Sequence, residues 1–199
     1  MQTTRLACSV WMDDAVLARH AESEASARRV VGGDAPLTDR GRAQARALGA
    51  ELAALPFDVC LTSGARRALE TADLALAGRR VAREVVGDLA DISFGCFEGR
   101  PLEEYRNWVA SHAPDAAPTD GESRVETLRR FSRVYRALLE RPEQHVLVVA
   151  HGLALSALMD EAPRPAVAGV PYASWIRVTR DALDAAVARI ERWCQAPSW

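Results

Sequence analysis

The chain has 199 residues, 49% of them hydrophobic, which suffices for one sizeable core, and its 25 basic and 27 acidic residues leave a net charge of -2. That balance argues against nucleic acid or an anionic membrane surface as partner, and no apolar run reaches membrane-spanning length. Every basic residue is arginine, so a site that needs lysine is excluded, whereas planar forks of donors for carboxylate or phosphate are plentiful.

Residues 1–14 read as an N-terminal extension and 15–199 as a single domain. Short apolar runs then alternate with longer helical patterns, the signature of an α/β architecture with a mostly parallel sheet. The strand candidates are "AVLA" (15–18), "FDVCL" (57–61), "HVLVVA" (145–150) and "SWIRV" (174–178), with "VAREVV" (81–86) a weaker one. Between the first two, Ala43, Ala47, Leu48, Leu52 and Leu55 fall at helical spacing, and Pro56 stops the run. After "TSG" a second helix carries Leu69, Ala72 and Leu76 on one side and ends at Gly78.

Thr119 and Glu122 match a capping box, after which Val125, Leu128, Phe131, Tyr135 and Leu138 repeat every three or four residues to about Glu140. Two more helices are expected over 153–160 and 181–193. The Pro- and Ala-rich stretches 111–120 and 161–173 read as loops. Cys8, Cys60, Cys96 and Cys194 form no C-x-x-C pair, so the expectation is a reduced, cytoplasmic setting. His112 and His145, with the scattered cysteines, lack metal spacing, and neither a metal nor a cofactor is expected.

In open α/β sheets ligands bind beyond the carboxyl ends of the strands. His20 and His151 each stand immediately after a strand-like run. Either alone is ordinarily a hydrogen-bonded loop residue; the pair at equivalent places is harder to dismiss. A third strand end carries "TSGARRALETA" (62–72), where Ser63 is placed to cap the following helix and Arg66 and Arg67 occupy its first turn. Cations there oppose the helix dipole, which asks for an anion nearby. Arg19, His20, Arg67 and His151 around one point would form a pocket for a phosphate dianion, in which a neutral imidazole is a competent nucleophile. "FGCFEGRPLEEYRNW" groups Phe94, Phe97, Tyr105 and Trp108, which would cover the site or, as aromatics more often do, fill the core.

"RHAES" (19–23), "LTDRGRAQA" (37–45), "TSGARRALETA" (62–72), "LADISFGCFEG" (89–99), "DGES" (120–123) and "VLVVAHG" (146–152), in this order, resemble the histidine phosphatase superfamily, also called phosphoglycerate mutase-like. The resemblance runs from about Ala15 to Ala157 and implies a three-layer α/β/α sandwich. It implies that His20 is the phosphorylated nucleophile, that Arg19 and Arg67 grip the phosphoryl group, and that His151 stabilises the equatorial oxygens, a task that the charge of the transition state suits to its protonated form. It further implies that the Gly152 amide assists and that Asp91 is the general acid.

Three positions depart from the family pattern. Ala21 stands for glycine, Ser26 for a phosphate-binding asparagine, and Asp91 for glutamate, which leaves Glu98 as an alternative acid. For chemistry, His20 has to be neutral, with its other ring nitrogen held by an acceptor such as a backbone carbonyl. The expected activity is hydrolysis of a small organic phosphomonoester through a phosphohistidine. The alternatives are a mutase, disfavoured by the short chain without lysine, and a phosphate-binding regulatory module without turnover. Substrate identity and oligomeric state are not legible in the sequence.

Overall fold

The computed structural model describes residues 12–160 and 169–199. Residues 1–11 of the expected extension, including Cys8, and residues 161–168 of the expected loop lie outside the described residues. Met12 is fully buried in the core, and Asp14 already opens the first strand.

Among the described residues the strands are β1 (Asp14–Arg19), β2 (Val59–Thr62), β3 (Ala82–Val85), β4 (His145–Ala150) and β5 (Trp175–Thr179), and they form one sheet in the order β3-β2-β4-β1-β5. Only the β1–β5 pair is antiparallel. The helices are α1 (Glu24–Ala27), α2 (Asp39–Glu51), α3 (Arg66–Ala75), α4 (Leu102–Ala110), α5 (Arg124–Leu139), α6 (Gly152–Met159) and α7 (Arg180–Gln195). None is long and apolar enough to cross a membrane.

Successive strand side chains point to opposite faces, and both faces are covered. Val16, Ala18, Cys60, Leu147 and Val149 pack with Leu48 of α2 and Ala68, Ala72 and Ala75 of α3. Their neighbours Ala15, Leu17, Leu61, Val146 and Val148 pack with residues of α5, α6 and α7, such as Phe131, Leu155 and Val187. The central strands therefore read as continuous apolar runs, and the product is the mostly parallel α/β sandwich expected from the sequence.

Three local expectations are corrected. Helix α2 turns Gly41, Ala45, Leu48 and Leu52 inward and leaves Ala43 and Ala47 exposed. Glycines decide this face, because a Cβ on Gly41 would stand 2.0 Å from the Glu22 carbonyl oxygen and one on Gly49 2.5 Å from that of Ala75. The capping box of α5 is Ser123 with Glu126, one register later than Thr119 with Glu122. Asp120 has a φ of 58°, which cannot continue a right-handed helix, so the earlier start is barred. Ser63 does not cap α3, whose cap position is Ala65 with no side-chain hydrogen bond. Helix α4 was absent from the sequence reading.

Candidate active site

Strand register creates the site. In the parallel β1–β4 pair Arg19 lies opposite Ala150, so the next residues, His20 and His151, leave the sheet side by side. The His20 amide donates to the Ala150 carbonyl at 2.8 Å, and the two imidazole centroids stand 5.2 Å apart. Thr62 of β2 is opposite Val149 of β4, which delivers Ser63 to His151; Ser63 Oγ lies 2.8 Å from His151 Nε2. The hydroxyl assigned to capping α3 therefore orients an imidazole instead.

His20 is 3% exposed. Its Nδ1 lies 2.8 Å from the carbonyl oxygen of Ala21, so Nδ1 carries the proton and donates, and Nε2 keeps its lone pair. Burial first, then competition with His151 for a proton and the charge of Arg67, hold its pKa well below the usual 6.5. Ala21 is itself pinned, its amide donating at 3.0 Å to Thr71 Oγ1, whose hydroxyl donates to the Arg67 carbonyl at 2.6 Å. Ala21 has no positive φ, so the missing glycine is not needed there.

Arg67, in the first turn of α3, is 8% exposed. It donates through Nη1 to the Gly33 carbonyl at 2.9 Å and approaches His151 Nδ1 with Nη2 at 3.3 Å. A guanidinium only donates, so His151 Nδ1 accepts and its Nε2 proton points to Ser63. Burial first, then Arg67 and Arg19, push the His151 pKa well below 6.5. The protonated His151 expected in the transition state is therefore not the form of the free site, where burial and the guanidinium groups of Arg67, Arg19 and Arg130 act against a further cation.

Arg19, from the end of β1, donates to the Val170 carbonyl and stacks on Tyr172, with its guanidinium carbon 3.9 Å from the ring centroid. Its Nε is buried without a partner among the described residues. Gly152 begins α6 beside it, and a Cβ at that position would lie 3.4 Å from the Arg19 guanidinium. The cap residue of α6, His151, makes no side-chain cap bond, so the first amides of this helix are left to the cavity.

Asp91 lies in the segment between two short 3-10 turns, Gly87–Leu89 and Gly95–Phe97. Its Oδ2 is 3.5 Å from His151 Nδ1 and 3.7 Å from Arg67 Nη2. Glu98 instead accepts from the Gly33 amide at 3.1 Å and is not among the residues lining the cavity. Ser26 faces Ser23 at 2.9 Å within the cap of α1. Arg66 does not reach the site: its amide donates to Asp34 Oδ1 at 2.6 Å and its side chain pairs with Glu70 at 2.8 Å, which supplies the anion demanded by the start of α3.

Sequence reasoning missed Arg130. From α5 it donates to both oxygens of Glu122 at 3.0 and 2.7 Å, to the carbonyls of Asp88 and Ala90 at 2.8 Å each, and to that of Asp91 at 3.2 Å. Glu122, previously explained by capping, also accepts from the Ser93 amide at 3.1 Å. The pair thus fastens the Asp91 segment to α5. Signals for this anchor are long-range, seven or more residues from any motif position.

A cavity of about 170 Å³ opens over these groups, lined by Arg19, His20, Asp91 and Gly152 at one end and by Tyr105, Arg106 and Arg124 elsewhere. Phe94 and Tyr105 take both suggested roles, packing edge to face at 4.8 Å and lining the cavity. No group of three or more metal-ligating side chains occurs among the described residues. Cationic donors around a neutral imidazole, with a carboxyl group close by, can bind a tetrahedral dianion and exchange a phosphoryl group with it.

The chain belongs to the histidine phosphatase superfamily: the model of its branch 1 matches residues 15–191. It is similar to the fructose-2,6-bisphosphatase TIGAR B of Danio rerio, 32% identical over 164 residues, covering 77% of this chain and 62% of that protein. It is likewise similar to the adenosylcobalamin/alpha-ribazole phosphatase of Salmonella typhimurium, 35% identical over 154 residues, covering 72% of this chain and 76% of that one. A relative named 2,3-bisphosphoglycerate-dependent phosphoglycerate mutase, from a Methylobacterium species, is 34% identical over 163 residues, covering 72% of this chain and 77% of that one. Among solved structures, the alpha-ribazole phosphatase of Shigella flexneri superposes with a TM-score of 0.70 at 28% identity, covering 83% of this chain and 89% of that chain.

Proposed function

We propose that the protein hydrolyses a small organic phosphomonoester in two phosphoryl transfers through His20. The observation that carries this reading is the tautomer: Nδ1 is committed to the Ala21 carbonyl, so Nε2 presents a lone pair toward the cavity in which Arg19 and Asp91 also stand.

In the first transfer Nε2 of His20 attacks phosphorus, the bond from phosphorus to the ester oxygen breaks, and the departing oxygen takes a proton from Asp91. Arg19, Arg67 and the Gly152 amide hold the equatorial oxygens, where the transition state spreads its charge. Arrival of the dianion offsets the positive field that keeps His151 neutral, so His151 takes up a proton and joins them as a donor. In the second transfer Asp91 accepts a proton from water, water oxygen bonds to phosphorus, the phosphorus–nitrogen bond breaks, and phosphate leaves with His20 restored. Ser26, on Ser23 in the free protein, would serve by turning its hydroxyl toward the phosphate. Asp91 is preferred to Glu98 because only the former lines the cavity and approaches His151.

Hydrolysis is favoured over mutase activity because the all-arginine chain has no lysine for a substrate carboxylate, and it is favoured over a turnover-free module because the nucleophile, its orienting carbonyl and a nearby carboxyl group are all in place. The substrates named for its relatives are theirs; alpha-ribazole phosphate and sugar bisphosphates are the first compounds to try. The test is phosphate release from a panel of phosphomonoesters by the wild type and His20→Ala in parallel, with and without 2,3-bisphosphoglycerate. Release that depends on His20 and not on the bisphosphate is expected; unchanged release by His20→Ala contradicts the proposal.

A further inference from the structure

The cavity has a second cationic wall that the chemistry at His20 leaves unused. Arg124 is the first residue of α5 and only 6% exposed, yet among the described residues it makes no hydrogen bond or ion pair, and its Nε is buried without a partner. Other arginines of the site are held: Arg67 by Gly33 and His151, Arg130 by Glu122 and three carbonyls, and Arg19, whose Nε is also unpartnered, by the Val170 carbonyl and the Tyr172 ring. Tyr105, 5% exposed and lining the same cavity, makes ring contacts to Phe94, Phe97 and Trp108 but, among the described residues, no hydrogen bond through its hydroxyl.

An unpaired guanidinium removed from water is costly, and a cation at the positive end of a 16-residue helix adds to the cost. Buried polar groups are normally satisfied, and one that is not asks for a missing partner. Packing does not explain this one, since the side chain borders open space rather than filling it. An anion in the cavity would remove both penalties at once.

The location selects which part of a substrate that anion belongs to. Arg124 and Tyr105 line the same cavity as Asp91, Arg19 and His20, but unlike Arg67 and Asp91 neither makes a hydrogen bond or ion pair with the two histidines. In the hydrolase reading the phosphoryl group is held at Arg19, His20 and Arg67, so this further wall is left to the leaving group. The wall between is apolar, with Ile92, Phe94, Leu102 and Val109, and Arg106, which also lines the cavity, is paired with Glu103 at 3.0 Å, so Arg124 is the unpaired cation that a ligand there meets.

We propose that Arg124, with the Tyr105 hydroxyl beside it, binds a second oxyanion, carboxylate or phosphate, carried by the leaving group, and so selects doubly anionic phosphomonoesters over neutral ones. The proposal rests on the hydrolase reading and specifies its substrate class: phosphorylated acids or bisphosphates with a short connection between the two charged groups.

Two matched pairs test it. In 3-phosphoglycerate against glycerol 3-phosphate a carboxylate replaces a hydroxymethyl group; in 1,3-propanediol bisphosphate against 3-hydroxypropyl phosphate a second phosphate replaces a hydroxyl. The wild type should prefer the charged member of at least one pair by about tenfold or more in kcat/KM, as expected for a charge-assisted hydrogen bond. The pair that shows it identifies the oxyanion. Arg124→Met should bring that ratio close to one, and Arg124→Lys should keep an intermediate value. The melting temperature of Arg124→Met should hold or rise, because an unpaired buried charge is removed; a purely structural arginine would give a fall. Binding of the four compounds to His20→Ala, followed by calorimetry, reads the same preference without turnover, so a failure of hydrolysis leaves this site testable. No preference in either pair, an unchanged ratio in Arg124→Met, or a large fall in its melting temperature would overturn the proposal.

Discussion

His20 donates its Nδ1 proton to the carbonyl oxygen of its own neighbour, Ala21, at 2.8 Å. The relationship fixes which nitrogen is free, and burial, reinforced by the neighbouring guanidinium groups, fixes its charge. Both conditions for a nucleophilic imidazole are thus met before substrate arrives, without help from a carboxylate.

That environment has a measurable pH consequence. His20 and His151 both have folded-state pKa values well below 6.5, so the unfolded chain binds up to two more protons than the folded one as pH falls below that value. Stability conferred by the two neutral imidazoles is therefore complete above about pH 6.5 and is lost as pH falls toward their folded values, by up to about 1.4 kcal/mol per pH unit for each histidine. Urea denaturation between pH 7.5 and 5 (about 7.5 to 5, the range spanning the ordinary histidine value) should show this slope. His20→Asn should show about half of it, and nitrogen-detected spectra should find His20 as the Nδ1-protonated neutral form throughout that range.

Asp91 is assigned to the departing oxygen, so its replacement should matter most when that oxygen is a poor leaving group. Asp91→Asn should lower kcat for alkyl phosphates by about 10²- to 10⁴-fold and for 4-nitrophenyl phosphate far less. Glu98→Gln should leave this leaving-group dependence as in the wild type.

Arg130 touches the Asp91 segment through the carbonyls of Asp88, Ala90 and Asp91. Arg130→Ala should reproduce the Asp91→Asn pattern in weaker form, with kcat falling and the loss concentrated in alkyl phosphates. It should also destabilise the protein by about 3 kcal/mol, because the half-buried Glu122 loses its partner. Steady-state kinetics with both substrate types and thermal denaturation measure the two effects.

Gly41 tests the packing that carries the nucleophile loop. A methyl group there would stand 2.0 Å from the Glu22 carbonyl oxygen, two residues after His20, so Gly41→Ala should cost about 1–3 kcal/mol and lower kcat. Gly87, where a Cβ would meet nothing within 4 Å, is the control, and Gly87→Ala should change the melting temperature little.

Much of the fold was legible because its signals are local. Strand β4 was bounded at His145–Ala150 from its apolar run alone, and the helix through Val125, Leu128 and Phe131 followed from its spacing. The face of α2 was misjudged because glycines at 41 and 49 mark close backbone approach, which hydrophobicity does not record. Helix α4 has local signals in Pro101 before it, Glu103 and Glu104 in its first turn and Leu102, Tyr105 and Val109 on one face, but at nine residues it offers too few turns for that spacing to stand out from the aromatic cluster around it.

At the site, residues after strands β1 and β4 were legible from the general placement of ligands in such sheets, and the family motifs gave each a role. The geometry brings His20, Arg19, Arg67, His151, Asp91 and Gly152 toward one cavity edge, while Ser26 and Glu98 turn to partners of their own. Tertiary partnerships were not legible. Ser63 looks like a cap until β2 is set against β4, Arg130 like one more arginine on a helix, and Arg124 like its neighbours until its lack of a partner is seen.

The covalent step is tested most directly by quenching the protein during turnover and measuring its intact mass, followed by peptide mapping. The expected result is one added phosphoryl group on the peptide containing His20, acid-labile and alkali-stable, and absent from His20→Ala. Turnover with no phosphorylated protein at any quench time under conditions that slow the second transfer, or a phosphoryl group on another residue, would contradict the account.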